Sequence, residues 1–308
     1  MAGFTRPDVL VLGGGGILGE AWMWALLVGI EKTTGFDARE CDAFVGTSAG
    51  SIVSAVLAAG IEPSSRLGKL PEQPPVDEAQ AQPNGGAAAG AARLALTAGR
   101  SLAAPFAAAG LRSTAPGGAL FRRAALAFAP SGQRSLGGLG ARLDSSGATW
   151  DGRLLISAVD VGSGRRVMFG SAEAPEASVG DAVEASCAIP GVFHPIRIGD
   201  REYVDGGAWS PTNMDVAPAK RGSTVLCLNP TGSLRSSFPG PLGALGLVSR
   251  SVAAVEALVL TRRGAQVTTA APDAATVAAI GGNLMDPRPR AKVVAAGLAQ
   301  GRALGLSA

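Results

Sequence analysis

Short apolar runs alternate with longer segments of helical hydrophobic spacing over the first 60 residues. The run at 9–12 leads into a glycine turn, and apolar side chains then recur at helical spacing over 19–32. A second apolar run at 42–46 is followed by a helical pattern over 49–59, and a glycine follows each helical pattern. The order strand–turn–helix occurs twice, which predicts the opening of an α/β sheet.

Strand patterns return after Trp150, and helical spacing dominates the last third of the chain. The predicted strands cover 154–161, 165–169 and 224–229, with a hairpin over 196–204 that turns at Gly199 and Asp200. The predicted helices cover 242–266 and 290–304. The chain shows no internal repeat, so these patterns predict one α/β domain with an inserted segment.

The inserted segment, residues 61–149, is rich in Ala, Gly and Pro. Its part from Ala79 to Leu143 has no acidic residue but contains seven arginines, namely Arg93, Arg100, Arg112, Arg122, Arg123, Arg134 and Arg142. The simpler interpretation is a loosely packed insertion that its arginines keep soluble. The alternative is a basic, partly helical cap that contacts an anionic membrane surface.

The overall composition is that of a globular protein. Of 308 residues, 47% are hydrophobic and 17% are charged, which excludes an acidic disordered chain. The 27 Lys and Arg against 24 Asp and Glu leave a formal charge of +3. This excess is too small to indicate a nucleic-acid partner, and we expect none.

The cysteines and the apolar runs indicate where in the cell the protein is located. Cys41, Cys187 and Cys227 are far apart and form no CxxC spacing, so they indicate neither a disulfide framework nor a zinc site. The start of the chain lacks a signal-peptide pattern, and four glycines and Glu20 interrupt the apolar stretch 9–30. The sequence therefore predicts a cytoplasmic protein, peripheral to membranes at most.

The glycine turn GGGGILG at 13–19 has three interpretations. Gly14, Gly16 and Gly19 match the G-x-G-x-x-G dinucleotide fingerprint, but the next strand ends without the acidic residue that this fingerprint requires. Consecutive glycines also let several N–H groups point one way at a helix N-terminus, where they can hold the oxyanion of acyl transfer. The third interpretation is a purely structural tight turn.

The segment GTSAG at 46–50 matches G-x-S-x-G with a strand before it and a helix after it. This context is typical of a nucleophile elbow, with Ser48 at a strained corner. Gly46 and Gly50 are expected because a β-carbon at either position would collide with the neighbouring strand or helix. The helix dipole would stabilise negative charge at the Ser48 hydroxyl. The alternative is that Ser48 merely caps the helix.

A serine nucleophile needs a proton acceptor, and Asp205 and His194 are the candidates. Asp205 opens the turn Asp205-Gly206-Gly207 directly after a predicted strand, where the backbone can fix a carboxylate. The single histidine, His194, lies between prolines and is interpreted as a loop residue. A carboxylate with a pKa of about 3.9 is a weak base, so this role needs close contact and a dry site. The alternative for Asp205 is an ordinary Asp-Gly turn.

Four segments together resemble the patatin-like phospholipase family. They are GGGGILG at 13–19, GTSAG at 46–50, ASCAIPGVF at 185–193 and DGG at 205–207. Their order and spacing carry the resemblance more than any single motif does. It covers about residues 8–60 and 153–230.

The resemblance implies a Ser–Asp dyad lipid acyl hydrolase whose chemistry uses no histidine, metal or cofactor. Ser48 would be the nucleophile and Asp205 the base, with the amides of Gly14, Gly15 and Gly16 as the oxyanion hole. The implied substrates are lipid or phospholipid esters. The implied fold is a three-layer α/β/α sandwich around a mostly parallel sheet.

On this basis we expect a single patatin-like domain over residues 1–308. Its core would be 8–60 and 150–230, with the basic insertion at 61–149 and a helical part at 240–308. Two rival hypotheses stay open: a Rossmann-like dinucleotide-binding protein, and a catalytically silent lipid-binding relative. Leu18 is the indication for the silent relative, because the family usually has Arg or Lys before the last glycine of the loop.

Overall fold

The structure of the protein, a computed structural model, describes residues 4–68, 118–127, 132–136, 138–234 and 241–306. Both segments predicted to form the core lie within these ranges. Most of the predicted insertion, with Arg93, Arg100 and Arg112, lies outside the described residues.

A mixed sheet forms the centre of the described structure. Its strands are β1 (Val9–Leu12), β2 (Ala43–Thr47), β3 (Leu154–Asp160), β4 (Arg166–Phe169), β5 (Ile196–Ile198), β6 (Arg201–Asp205), β7 (Thr224–Leu228) and β8 (Gln266–Ala270). Strands β3, β2, β1, β7 and β8 lie side by side in parallel. Strands β4, β5 and β6 pair antiparallel with their neighbours. The predicted strands and the predicted hairpin are confirmed.

Helices cover both faces of this sheet. They are α1 (Gly16–Thr34), α2 (Ala49–Ala58), α3 (Gly118–Ala127), α4 (Leu139–Ser145), α5 (Val179–Cys187), α6 (Pro241–Arg262), α7 (Ala274–Ile280) and α8 (Arg290–Leu306). Leu10 and Leu12 of β1 pack in the core with α1, α2, α5 and α8, whereas Val9 and Val11 pack in a second core with α6. Because side chains alternate along a strand, a sheet that is apolar on both faces needs helices on both. The α/β/α fold class is confirmed.

Several elements differ from the sequence-based predictions. Helix α1 begins at Gly16, inside the glycine turn, instead of at residue 19. The predicted helix 242–266 is wrong at its end, because Gly264 adopts a φ of +91° and the chain then enters the edge strand β8. Helices α5 and α7 were not predicted, since each spans only two or three turns.

Within the described ranges, no helix combines the length and the apolar character needed to cross a bilayer.

Candidate active site

Two strands that run toward each other bring the candidate nucleophile and base together. Strand β2 is parallel to β3 and ends with Thr47 opposite Ser157, whereas β6 is antiparallel to β3 and ends with Asp205 opposite Ala158. Strand β4 occupies the other edge of β3, so β2 and β6 share one edge. Their ends therefore meet, and Ser48, the residue after β2, lies beside Asp205.

The backbone at Ser48 is strained. Its φ is +51°, in the left-handed region that non-glycine residues rarely adopt. Ser48 lies between β2 and α2, but its side chain makes no capping hydrogen bond to the helix. The interpretation of Ser48 as a simple helix cap is therefore wrong, and its hydroxyl is left for another contact.

The two glycines of the elbow are required by the packing. A Cβ at Gly46 would lie 2.6 Å from the Ser51 Cα in helix α2. A Cβ at Gly50 would overlap the carbonyl group of Leu12 at the end of β1. These are backbone atoms that cannot move aside, so the expected collisions with a helix and a neighbouring strand are confirmed.

Hydrogen bonds hold the Ser48 backbone in this conformation. The Ser48 N–H donates to the Ser186 Oγ at 2.8 Å, and Ser186 lies in the last turn of α5. The Ser48 carbonyl accepts from the Ser51 Oγ at 2.6 Å and from the Ser51 N–H at 2.8 Å. Both polar backbone groups of a buried, strained residue are thus satisfied. Ser186 belongs to the segment 185–193, but the sequence did not indicate this role.

Asp205 is buried, with 5% of its surface exposed, and its carboxyl group contacts Ser48. Burial raises the pKa of Asp205 to about 6, and side-chain hydrogen bonding with Ser48 and the Gly207 N–H limits the rise. The Gly207 N–H donates to Asp205 Oδ1 at 2.7 Å, and a Cβ at Gly206 would overlap Ser157. An Asp-Gly turn is present, but the contact with Ser48 goes beyond it.

The glycine turn lies next to this pair of residues. A Cβ at Gly14 would lie 3.4 Å from the Ser48 Cβ. The Gly14 N–H, however, donates to the Pro211 carbonyl at 2.9 Å and is not available to a substrate. Within the described residues, the N–H groups of Gly15 and Gly16 have no acceptor, because they precede or begin helix α1. Of the three predicted amides, two thus have no acceptor within the described residues.

Leu18 and His194 lie apart from this chemistry. The Leu18 side chain is fully buried in the core, and its N–H donates to the Leu284 carbonyl at 3.0 Å. His194 is exposed, and no contact in the described structure joins its side chain to Ser48 or Asp205.

Cys41, Cys187 and Cys227 are free thiols and all three are buried. Burial raises the pKa of the Cys41 thiol to about 12 and that of Cys187 above its usual range. In the part of the chain that the structure describes, no three His, Cys, Asp or Glu groups are placed to hold a metal ion.

Comparisons with known proteins give a family match and a similar solved structure. The family model described as "Patatin-like phospholipase" matches residues 10–75 and 152–218, which contain the glycine turn, the elbow and the DGG turn. Over these two segments the chain is similar to the patatin-like phospholipase family. Among solved structures it is similar to the crystal structure of VipD from Legionella pneumophila, with a TM-score of 0.45 and 15% identity, covering 99% of this chain and 68% of that chain. A search of curated proteins finds no match.

Proposed function

We propose that the protein is a serine lipid acyl hydrolase that cleaves carboxylic ester bonds through an acyl-enzyme on Ser48. The observation that carries this proposal is the contact between the Ser48 side chain and the buried Asp205 carboxyl, at the meeting point of β2 and β6. The match to the patatin-like phospholipase family model supports lipid esters as the substrate class.

In the first step, Ser48 Oγ attacks the acyl carbonyl while its proton passes to the Asp205 carboxylate. A carboxyl group with a pKa of about 6 is ionised at neutral pH and is a stronger base than an exposed one. Collapse of the tetrahedral intermediate then breaks the ester bond. The proton on Asp205 goes to the departing alkoxide, so the alcohol product leaves neutral.

The negative charge of the tetrahedral intermediate needs donors that are already in place. The N–H groups of Gly15 and Gly16 are suitable because they lie at the N-terminus of α1, where the helix dipole also favours an anion. Gly15 must be glycine, since a Cβ there would lie 2.5 Å from the Pro230 Cβ. Gly14 contributes through its close approach to Ser48, as its own N–H is already bonded.

In the second step, water hydrolyses the acyl-enzyme. Asp205, again ionised, takes a proton from the water, whose oxygen attacks the acyl carbonyl on Ser48. The same two amides receive the second oxyanion. Breakdown of this intermediate returns the proton to Ser48 Oγ and releases the fatty acid. No residue outside Ser48, Asp205 and the glycine turn is needed for the proton transfers.

A fluorophosphonate probe tests this proposal directly. We expect covalent labelling of the wild-type protein at Ser48, shown by peptide mass spectrometry, because an activated serine beside oxyanion donors attacks the phosphorus. Titration with NAD and NADP should show no saturable binding, because β2 ends at Thr47 without the acidic residue of a dinucleotide site. Nucleotide binding without labelling would favour the Rossmann-like rival, and lipid binding without labelling would favour the silent relative.

We also propose that the basic segment 79–143 contacts anionic membranes. Its described arginines divide into two kinds. Arg122 is fully buried and its guanidinium lies 3.7 Å from the centre of the Trp209 ring, so it cannot contact lipid. Arg123, Arg134 and Arg142 are exposed, and they support the contact through long-range attraction to anionic headgroups.

Vesicle co-sedimentation checks the membrane proposal. We expect stronger binding to vesicles with anionic lipid than to neutral ones, and weaker binding at high salt, because salt screens exposed charges. Replacing Arg123, Arg134 and Arg142 with Gln should reduce binding, whereas Arg302→Gln, an exposed arginine on α8, should not. Equal binding to neutral and anionic vesicles would exclude an electrostatic contact.

A further inference from the structure

A network of buried polar side chains joins the segments that carry Ser48 and Asp205, and Asn213 lies at its centre. Asn213 is fully buried and has a φ of +50°. In the described residues it shares this left-handed conformation, among non-glycine residues, with Ser48 alone. Asn tolerates such a backbone better than most residues, but strain of this kind persists only where the surroundings determine it.

The orientation of the Asn213 amide follows from its neighbours. The Arg166 Nη1 lies 3.2 Å from the Asn213 Oδ1. A guanidinium can only donate hydrogen bonds, so the amide oxygen must face Arg166 and the NH2 group must face away. Arg166 is itself held by two hydrogen bonds to the Asp215 carboxylate, at 2.6 and 2.8 Å. The amide therefore cannot flip without losing this contact.

The NH2 group faces four oxygen atoms. They are Thr47 Oγ1 at 3.1 Å, Ser157 Oγ at 3.1 Å, the Ser210 carbonyl at 2.7 Å and the Gly206 carbonyl at 3.4 Å. Thr47 directly precedes the proposed nucleophile, and Gly206 directly follows the proposed base. The Ser157 Oγ also donates to Thr47 Oγ1 at 3.0 Å, which connects β3 to the same group. One buried amide thus contacts both strand ends.

We infer that Asn213 is a positioning residue that sets the separation between Ser48 and Asp205. This inference rests on the proposed function. The sheet brings the ends of β2 and β6 together, but no ladder hydrogen bond crosses from one end to the other, because the strands meet end to end along one edge of β3. The Asn213 amide supplies that link from outside the sheet. A displacement of about 1 Å at reacting atoms can cost on the order of 10²-fold in rate.

Asn213→Gly is the sharpest test, because glycine accepts the left-handed backbone and only the amide is lost. With a soluble p-nitrophenyl ester we expect kcat to fall on the order of 10²-fold and KM to stay within about twofold. Fluorophosphonate labelling of Ser48 should slow by a similar factor. If the role of Asn213 were purely structural, kcat and the rate of Ser48 labelling would both be unchanged in the folded variant.

Two further variants keep the test decisive. Asn213→Asp tolerates the same backbone but has no N–H to donate, so we expect the same loss of kcat. Glu256→Gln is the control, since Glu256 holds the other side of this turn through Thr212 Oγ1 and the Met214 N–H and does not touch the amide. It should keep kcat within about twofold.

The outcomes separate this inference from the proposed function. Wild-type kcat in a folded Asn213→Gly protein, or a loss that appears only in KM, would overturn the inference alone. Failure of both Asn213 variants to fold would also overturn it, because the amide would then serve stability. Ester hydrolysis that persists in Ser48→Ala would contradict the proposed function itself, and the positioning role with it.

Discussion

Ser48→Ala should fold as the wild type does and hydrolyse lipid esters at least about 10⁴-fold more slowly. The variant removes the atom that attacks the acyl carbonyl, and no acyl-enzyme can form. Alanine fits the elbow without new contacts, although it inherits the strained φ of +51°. Release of fatty acid from a mixed lipid substrate, measured by mass spectrometry, checks the result and also shows which lipids the wild type cleaves.

Ser54→Ala is the matched control for this experiment. Ser54 lies in helix α2, it is buried, and within the described structure its hydroxyl has no hydrogen-bond partner. Its removal should therefore leave both folding and hydrolysis unchanged. Retention of hydrolysis by a folded Ser48→Ala protein would exclude Ser48 as the nucleophile, whatever the labelling experiment shows.

Asp205→Asn should lose activity to a similar extent and yet unfold at a higher temperature at pH 8. The loss follows because an amide cannot accept the proton of the Ser48 hydroxyl. The higher unfolding temperature follows from the pKa of Asp205. Burial raises this pKa to about 6 in the folded protein, against about 3.9 in an unfolded chain. Above pH 6 the fold must hold a buried carboxylate that water would solvate better, and Asn removes this cost.

The size of this effect depends on pH. Below about pH 4 the carboxyl group is protonated in both the folded and the unfolded state. It then contributes nothing to the difference in free energy of unfolding between the variant and the wild type. Between pH 4 and 6 only the unfolded chain ionises, so wild-type stability falls as the pH rises. Asp205→Asn should therefore gain about 2 to 3 kcal/mol at pH 8 and little at pH 4, as measured by thermal or urea unfolding. A variant less stable than the wild type at pH 8 would contradict this argument.

Asp200→Asn is the control for a change of charge on the same hairpin. The Asp200 side chain is 96% exposed, so its replacement should alter neither stability nor hydrolysis by a measurable amount.

The wild type should also show a kcat/KM that rises with pH through about 6, since Asp205 must be ionised to act as the base. The control should show the same profile.

Much of this molecule follows from local sequence patterns. Apolar spacing, together with glycines at the ends of the elements, predicts the strands β1 and β2, the helix after the elbow and the hairpin of β5 and β6. Strand β8 was missed because its residues are polar and mostly exposed at the sheet edge. Helix α5 was missed because it is short, although its last turn supplies Ser186 to the elbow.

The local parts of the candidate site follow from the sequence: a strained corner that needs Gly46 and Gly50, an aspartate after a strand, and a turn whose glycines precede a helix. The way in which these parts combine depends on long-range packing. In the folded protein the ends of β2 and β6 lie on one edge of β3. The Gly14 N–H donates to the Pro211 carbonyl, and the Asn213 amide lies between Thr47 and Gly206. The reason is that burial and hydrogen-bond partners depend on segments far apart in the chain, which no local pattern specifies.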